Sequence, residues 1–280
     1  MKLTKEFNDE KKEVFSVLWT GGWDSTYRMI ELSRRPVIIQ PIYIYGDQRL
    51  SENYEINAMH KILSKLETRK STKATILPIK FIEKSSIPLN QEITDAYLRI
   101  RKDTDLGSQH EWLARYAYVN PGLEIGTEAS SPETSRIIDA IHKYGRLTKD
   151  KTGDYYVLDP EGSTKEGMLV FGNFKFPIID KSELDMKRNI ELWGYEDVMK
   201  EIWFCHSPFF GKPCGLCHPC EVKIESGMGH LLPESALRRY RRRDEIVFRD
   251  VYRVRMKVER FFARFRFWWR NKHRRYHFTG

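Results

Sequence analysis

Apolar residues near the start of the chain fall into short runs and then into the spacing of amphipathic helices. Val14 to Trp19 is an apolar run of buried-strand length, followed at once by Thr20, Gly21 and Gly22 and by a helical stretch from Ser25 to about Ser33. Val37 to Tyr45 is β-branched and aromatic, the composition of a central parallel strand. Glu52 to Leu66 carries Ile56, Met59, Leu63 and Leu66 at helical spacing, and Ala74 to Ile79 predicts the next strand. Gln91 to Arg101 and His110 to Tyr118 read as helices, and Leu123 to Thr127 as a strand interrupted at Gly126. Such repeated βα units predict an α/β fold: a doubly wound, mostly parallel, Rossmann-like sheet that binds its ligand at the carboxyl ends of the strands.

From Ala129 to Asn173 the periodicity weakens, and the segment reads as an insertion or lid. Pro132 and Glu133 open a helix to about Tyr144, and Tyr155 to Leu158 and Met168 to Phe171 are short strand-like runs. Helices over Leu184 to Trp193 and Tyr195 to Trp203 lead into a cysteine-bearing stretch. Residues 1–235 are expected to form one body, which includes the insertion and a cysteine segment at 205–220; residues 236–280 form a basic, aromatic helical extension. In that extension Val247, Val251, Val254, Val258, Phe261, Phe265 and Trp268 alternate in steps of four and three, a stripe along one helix. The stripe suits docking on the body or on a second copy in a homo-oligomer. A basic amphipathic helix with Trp and Phe suits RNA or an anionic membrane surface as well.

Composition bounds these readings. With 40% hydrophobic and 31% charged residues the chain has the balance of a folded globular protein. No apolar run approaches the ~20 residues that a membrane-spanning helix needs. The first thirteen residues are rich in Lys, Glu and Asp, without the apolar core of a secretion signal, so a cytoplasmic location is expected. The net charge is +9, yet Arg238 to Arg275 alone holds sixteen Lys or Arg against four Asp or Glu. The rest of the chain is therefore slightly acidic, and affinity for a polyanion belongs to the extension.

The chemistry begins at Trp19, Thr20, Gly21, Gly22, Trp23, Asp24, Ser25 and Thr26, between the first strand and its helix. Glycines let the backbone approach an anion, successive N–H groups form a nest, and the helix dipole adds positive potential there. Thr20, Ser25 and Thr26 offer hydroxyl donors. The plain alternative is a turn with Ser25 as helix cap. The Walker pattern G-x-x-x-x-G-K-[ST] is absent, so a phosphate site here is a different cradle.

All 4 cysteines lie in one stretch, Cys205, Cys214, Cys217 and Cys220, spaced C-x8-C-x2-C-x2-C. Four thiolates close a tetrahedral Zn2+ site with no open position, which makes the metal structural; a redox pair is the alternative. His206 and His218 lie beside the cluster and either could replace a cysteine, yet four thiolates already fill the shell, so both read as solvated or supporting residues outside it.

The loop resembles the S-G-G-x-D-S signature of PP-loop ATP pyrophosphatases, with Thr20 in place of Ser. Together with the cysteine cluster it resembles the 7-cyano-7-deazaguanine synthases of that superfamily. Tyr45, Gly46, Gln48 and Arg49 followed by Glu55 are similar to their Y-G-Q-R…E segment, with Asp47 inserted, and Pro177, Asp180 and Lys181 to the segment before their zinc ligands. The chain departs from them at Leu50, Ser108 and Gln109, and after Gly126.

The resemblance implies ATP and Mg2+ as cofactors, with the whole loop from Trp19 to Thr26 binding nucleotide and Asp24, Ser25 and Lys181 acting in catalysis. Tyr45, Gln48, Arg49 and Asp180 would meet the substrate. The activity implied is adenylation of a small-molecule carboxylate, followed by attack of ammonia to give an amide and then a nitrile. An RNA-modifying PP-loop ligase and a nucleotide-binding, synthase-like component of a phage-defence assembly are the alternatives.

Overall fold

The computed structural model describes residues 12–47, 49–131 and 133–245, and in the extension Val254, Arg255, Lys257, Val258 and Phe261. Strand β1 (Val14–Leu18) runs into the glycine turn and helix α1 (Trp23–Ser33), and β2 (Ile38–Tyr45) follows with α2 (Glu52–Glu67). The expected strand over 74–79 is instead two short ones, β3 (Thr75–Ile76) and β4 (Lys80–Glu83), with Pro78 between them. Proline has no N–H for the ladder, so pairing breaks there and resumes beyond it. Helices α3 (Gln91–Thr104) and α4 (Gln109–Val119) precede β5 (Leu123–Glu124).

The segment read as an insertion holds α5 (Arg136–Tyr144), a hairpin of β6 (Leu147–Lys149) and β7 (Tyr156–Leu158), and α6 (Lys165–Phe171). Helix α5 starts at Arg136, later than the expected opening at Glu133; Pro132 lies outside the described residues. Met168 to Phe171 is helical, not a strand. Thr164 caps α6 by accepting from the Gly167 amide at 3.0 Å, and Gly167 presses so close to the end of α5 that an added Cβ would lie 2.0 Å from the Tyr144 carbonyl oxygen. Helix α6 packs on α3, α4 and α5, so this segment is part of the helical layer and not a detached lid.

Strand β8 (Phe174–Lys175) returns to the sheet, and α7 (Glu183–Trp193) and α8 (Glu196–Met199) follow. The helix expected over Tyr195 to Trp203 is only the short α8; the Trp203 amide instead donates to the Gly21 carbonyl at 2.8 Å. Helix α9 (His218–Lys223) carries the last cysteine, Cys220, and α10 (Glu234–Arg241) follows. Helix α10 spans the expected boundary at residue 235 and packs on the cysteine segment through the fully buried Ala236.

The central sheet has the order β3-β2-β1-β5-β8, with β4 also on β2, and every pairing in it is parallel. Side chains alternate across it. Phe15, Val17, Ile39 and Tyr43 face α1, α2, α7 and α8, whereas Ile42, Ile44, Leu123 and Phe174 face the layer of α3 to α6. The chain is thus an α/β protein with a mostly parallel central sheet and helices on both faces. One buried ion pair pins α1 to the sheet: Arg28 donates to both carboxylate oxygens of Glu124, at 2.9 and 2.8 Å. Among the described residues no helix is long and apolar enough to cross a membrane. Val254, Val258 and Phe261 of the stripe are helical and exposed; Val247, Val251, Phe265 and Trp268 lie outside the described residues.

Candidate functional site

A cavity of about 320 Å³ opens beyond the carboxyl ends of β1, β2 and β5. Thr20, Gly22, Trp23, Asp24 and Ser25 form one wall, and Arg49, Gln109, His110 and Trp112 another. The turn after β5, from Ile125 to Glu128, closes the third side. Gly21 adopts a left-handed φ of 68°, which turns the chain from β1 into α1. Gly126 sits so tightly under the loop that an added Cβ would come within 3.1 Å of the Ser25 nitrogen.

Helix α1 begins at Trp23, two residues earlier than expected, with Gly22 as its cap and no side chain bonding its first turn. Its first hydrogen bond runs from the Thr26 amide to the Gly22 carbonyl. Among the described residues, the amides of Trp23, Asp24 and Ser25 have no protein acceptor. Such a first turn presents donors and the positive end of the helix dipole to whatever fills the cavity.

Other polar atoms on the walls share this state. Trp23 Nε1, Arg49 Nε, His110 Nδ1 and Glu128 Oε2 are buried without a hydrogen-bond partner. Leaving a buried donor or acceptor unpaired costs about 1–3 kcal/mol each, so their convergence on one space marks it as a place for a polar ligand. Arg49 is held there by Glu55 at 3.2 Å, and Glu55 in turn accepts from Tyr43 and Ser51.

The acidic corner of the cavity consists of Asp24 and Glu128, and the charge of the buried Lys223 acts on both. Burial pushes the Glu128 carboxyl up to about 7, the charge of Asp24 adds to this, and Lys223 opposes it. Burial also raises Asp24 and lowers Lys223, and the opposite charges act against both shifts. Burial alone brings His110 down to about 4, so its imidazole is neutral near neutral pH.

The residues expected from sequence divide accordingly. Thr20, Gly22, Trp23, Asp24, Ser25 and Arg49 line the cavity. Gly21 lies behind it. Trp19 and Thr26 are wholly buried and satisfy each other, the indole donating to the Thr26 hydroxyl at 3.0 Å, so neither presents a polar group to a ligand. Tyr45 does not line the cavity either: β-strand alternation turns it toward the opposite layer from Ile44. Lys181 bends back onto the Pro177 carbonyl at 3.1 Å, and Asp180 is taken up by Lys181 and Lys149 at 3.6 and 3.9 Å, so neither reaches the wall. Gln48 lies outside the described residues.

Glu128 and His110 are cavity residues that sequence reasoning missed, as it missed Lys223, which does not line the cavity but lies against the ring of Trp23 in its wall. Lys223 had one signal, its position three residues after Cys220 on the same short helix.

The cysteine cluster lies beside this cavity. The four sulfurs are all within 4.8 Å of one another, with 3.9 Å between Cys214 and Cys220 and 3.8 Å between Cys217 and Cys205. Tetrahedral zinc with bonds of about 2.3 Å requires sulfurs roughly 3.8 Å apart, so this group could hold a metal ion such as zinc. Their mutual contacts pull Cys214 and Cys217 down and push Cys205 and Cys220 up; a cation is what lets all four be thiolates together. Amides of Cys214, Leu216 and Cys217 donate to the sulfurs at 3.2 to 3.3 Å. His206 is exposed, and neither it nor His218 belongs to the four-sulfur group.

Compared with known proteins, the chain matches no family model and no curated protein.

Proposed function

We propose that the chain is an ATP pyrophosphatase of the PP-loop kind, which adenylates a carboxylate and lets ammonia displace AMP to give an amide and then a nitrile. One observation carries this reading: the bare first turn of α1 faces a cavity whose walls hold further unpaired donors, Trp23 Nε1 and Arg49 Nε. Anions bind helix N-termini of this kind, and pyrophosphate has enough acceptor oxygens for the amides and for the Thr20 and Ser25 hydroxyls at once.

Ranged around that cradle, the remaining groups suit the chemistry. A carboxylate oxygen attacks the α-phosphorus of ATP, the bond to the β-phosphate bridge breaks, and pyrophosphate leaves into the loop. Arg49 on the facing wall suits the incoming carboxylate. Ammonia then attacks the acyl carbon, AMP leaves, and one proton is lost to give the amide. In a second round the amide oxygen takes an adenylyl group from ATP, and loss of AMP and a proton leaves the nitrile. Asp24 and Glu128, with the unpaired Glu128 Oε2, fit a magnesium ion, which supplies charge neutralisation of the phosphates when bound. The protein's contribution is positioning and fixed dipoles, without a covalent intermediate.

The test is a product assay with α-labelled ATP, magnesium, ammonium and 7-carboxy-7-deazaguanine. AMP, pyrophosphate and the nitrile are expected. Pyrophosphate release with a different carboxylate would keep the chemistry and replace the substrate. ADP and phosphate as products would overturn the assignment of the loop.

A further inference from the structure

Two threads tie the cysteine cluster to the glycine loop. Trp203 is the first: its indole donates to the Cys205 carbonyl at 2.8 Å while its amide donates to the Gly21 carbonyl at 2.8 Å. Its ring also stacks on Tyr54, with centroids 4.5 Å apart. Helix α9 is the second. Cys217 caps it, Cys220 sits in its first turn, and its last residue is Lys223.

Lys223 is 6% exposed, and nothing in the proposed chemistry so far uses it. Its ammonium lies 4.8 Å from the centre of the Trp23 ring and is ion-paired with Glu183 at the start of α7. The same charge acts on Asp24 and Glu128. A buried lysine is rare unless paired, and this one is paired with one acid, Glu183, and lies against an aromatic face. Removing it would take away a positive charge that acts on Asp24 and Glu128 where an anion must enter, and the lost charge counts for more in a partly buried site than in water.

We propose that Lys223 is a positioning residue that links the four-thiolate centre to the anion cradle. Helix α9, tied down through Cys217 and Cys220, holds the ammonium against the Trp23 ring of the loop and paired to Glu183, so a metal ion on the thiolates sets the affinity of the loop for pyrophosphate. This link rests on the reading of the loop as a pyrophosphate cradle. It also replaces Lys181, which the sequence favoured, with a lysine that comes from the metal segment.

The experiment is calorimetric titration of the full-length, metal-loaded chain with magnesium pyrophosphate, on wild type, Lys223→Met and Lys223→Arg, with bound metal and circular dichroism recorded for each. Lys223→Met is expected to weaken binding at least about tenfold while keeping its metal and its spectrum, and Lys223→Arg to recover it to within about threefold. Stripping the metal from wild type with a chelator should lower the affinity by a similar factor, re-addition should restore it, and stripping Lys223→Met should add little.

Binding by Lys223→Met within about twofold of wild type overturns the proposal, as does an Lys223→Arg variant as weak as Lys223→Met, which would assign the effect to packing. Unchanged affinity after stripping overturns the metal link. A wild type that binds no pyrophosphate sinks the cradle itself, and the link with it, an outcome distinct from the others. Should Lys223→Met fail to fold, Glu183→Gln decides: it frees the ammonium from its anchor and should weaken pyrophosphate by about threefold, and unchanged affinity again overturns the proposal.

Discussion

In the cysteine segment several backbone groups around the sulfurs are paired. Amides of Cys214, Leu216 and Cys217 donate to sulfur, and Arg239 covers the carbonyls of Cys214 and Pro213 at 2.7 and 3.1 Å. Gly215, at a φ of 78°, packs so closely under α10 that a Cβ would lie 2.2 Å from the Ala236 carbonyl oxygen. Across the loop, among the described residues, the cavity leaves the first-turn amides of α1 and the atoms Trp23 Nε1, Arg49 Nε, His110 Nδ1 and Glu128 Oε2 unpaired. The difference teaches what each region is for. A centre whose sulfurs already take amide donors and whose carbonyls are covered suits a resident ion, whereas unpaired groups around open space suit a ligand that comes and goes.

The largest way to break this comparison is Cys217→Ser. If the cluster is a committed metal centre, the variant loses its metal and roughly 5 kcal/mol or more of folding free energy, because metal binding to such segments is itself folding free energy. Metal analysis and a thermal melt would check it. A variant that melts like wild type would instead make the cysteines incidental.

Asp24→Ala tests the other side. It should lower turnover about 1000-fold while the melting curve moves little, since Asp24 faces the cavity rather than the core. Steady-state pyrophosphate release against a melt of the same preparation separates the two effects.

A smaller effect comes from pH. Burial lowers the His110 pKa from 6.5 to about 4, so between these values the unfolded chain binds more protons than the folded one. The stability this group contributes is present above pH 6.5 and is lost as the pH falls toward 4, by up to about 3 kcal/mol. His110→Gln should flatten that part of the melting profile, and an unchanged slope would remove His110 as its cause. The smallest effect is expected for Lys181→Met, whose ammonium is spent on its own turn; pyrophosphate affinity should move less than about threefold.

Much of the fold was legible because local patterns coincide with tertiary demands. The β1 run, the glycine turn and α1 could be read directly, since a central parallel strand flanked by helices is mostly apolar and the turn after it needs a left-handed glycine. The cysteine spacing was equally direct. Met168 to Phe171 misled because four apolar residues carry no period, and the decisive features, the Thr164 cap and the contact of Gly167 with α5, lie outside that run. Pro78 split a strand that composition alone joined.

The site was half legible for a similar reason. Loop residues are contiguous in sequence, so Thr20 to Ser25 could be found together. Trp19 and Thr26 were drawn in by adjacency, although their side chains turn inward to each other. Lys223 and Glu128 reach Asp24 from residues far along the chain, and no spacing rule brings such groups together; only packing does.

The amides of Gly22 to Ser25 give the most direct test of the pyrophosphate cradle. In a nitrogen-15 spectrum of the full chain, addition of magnesium pyrophosphate should shift these amides and that of Glu128 while leaving the amides around Cys205 and Cys214 nearly in place. Saturating pyrophosphate that leaves Gly22 to Ser25 unmoved would contradict the cradle and the ATP chemistry built on it.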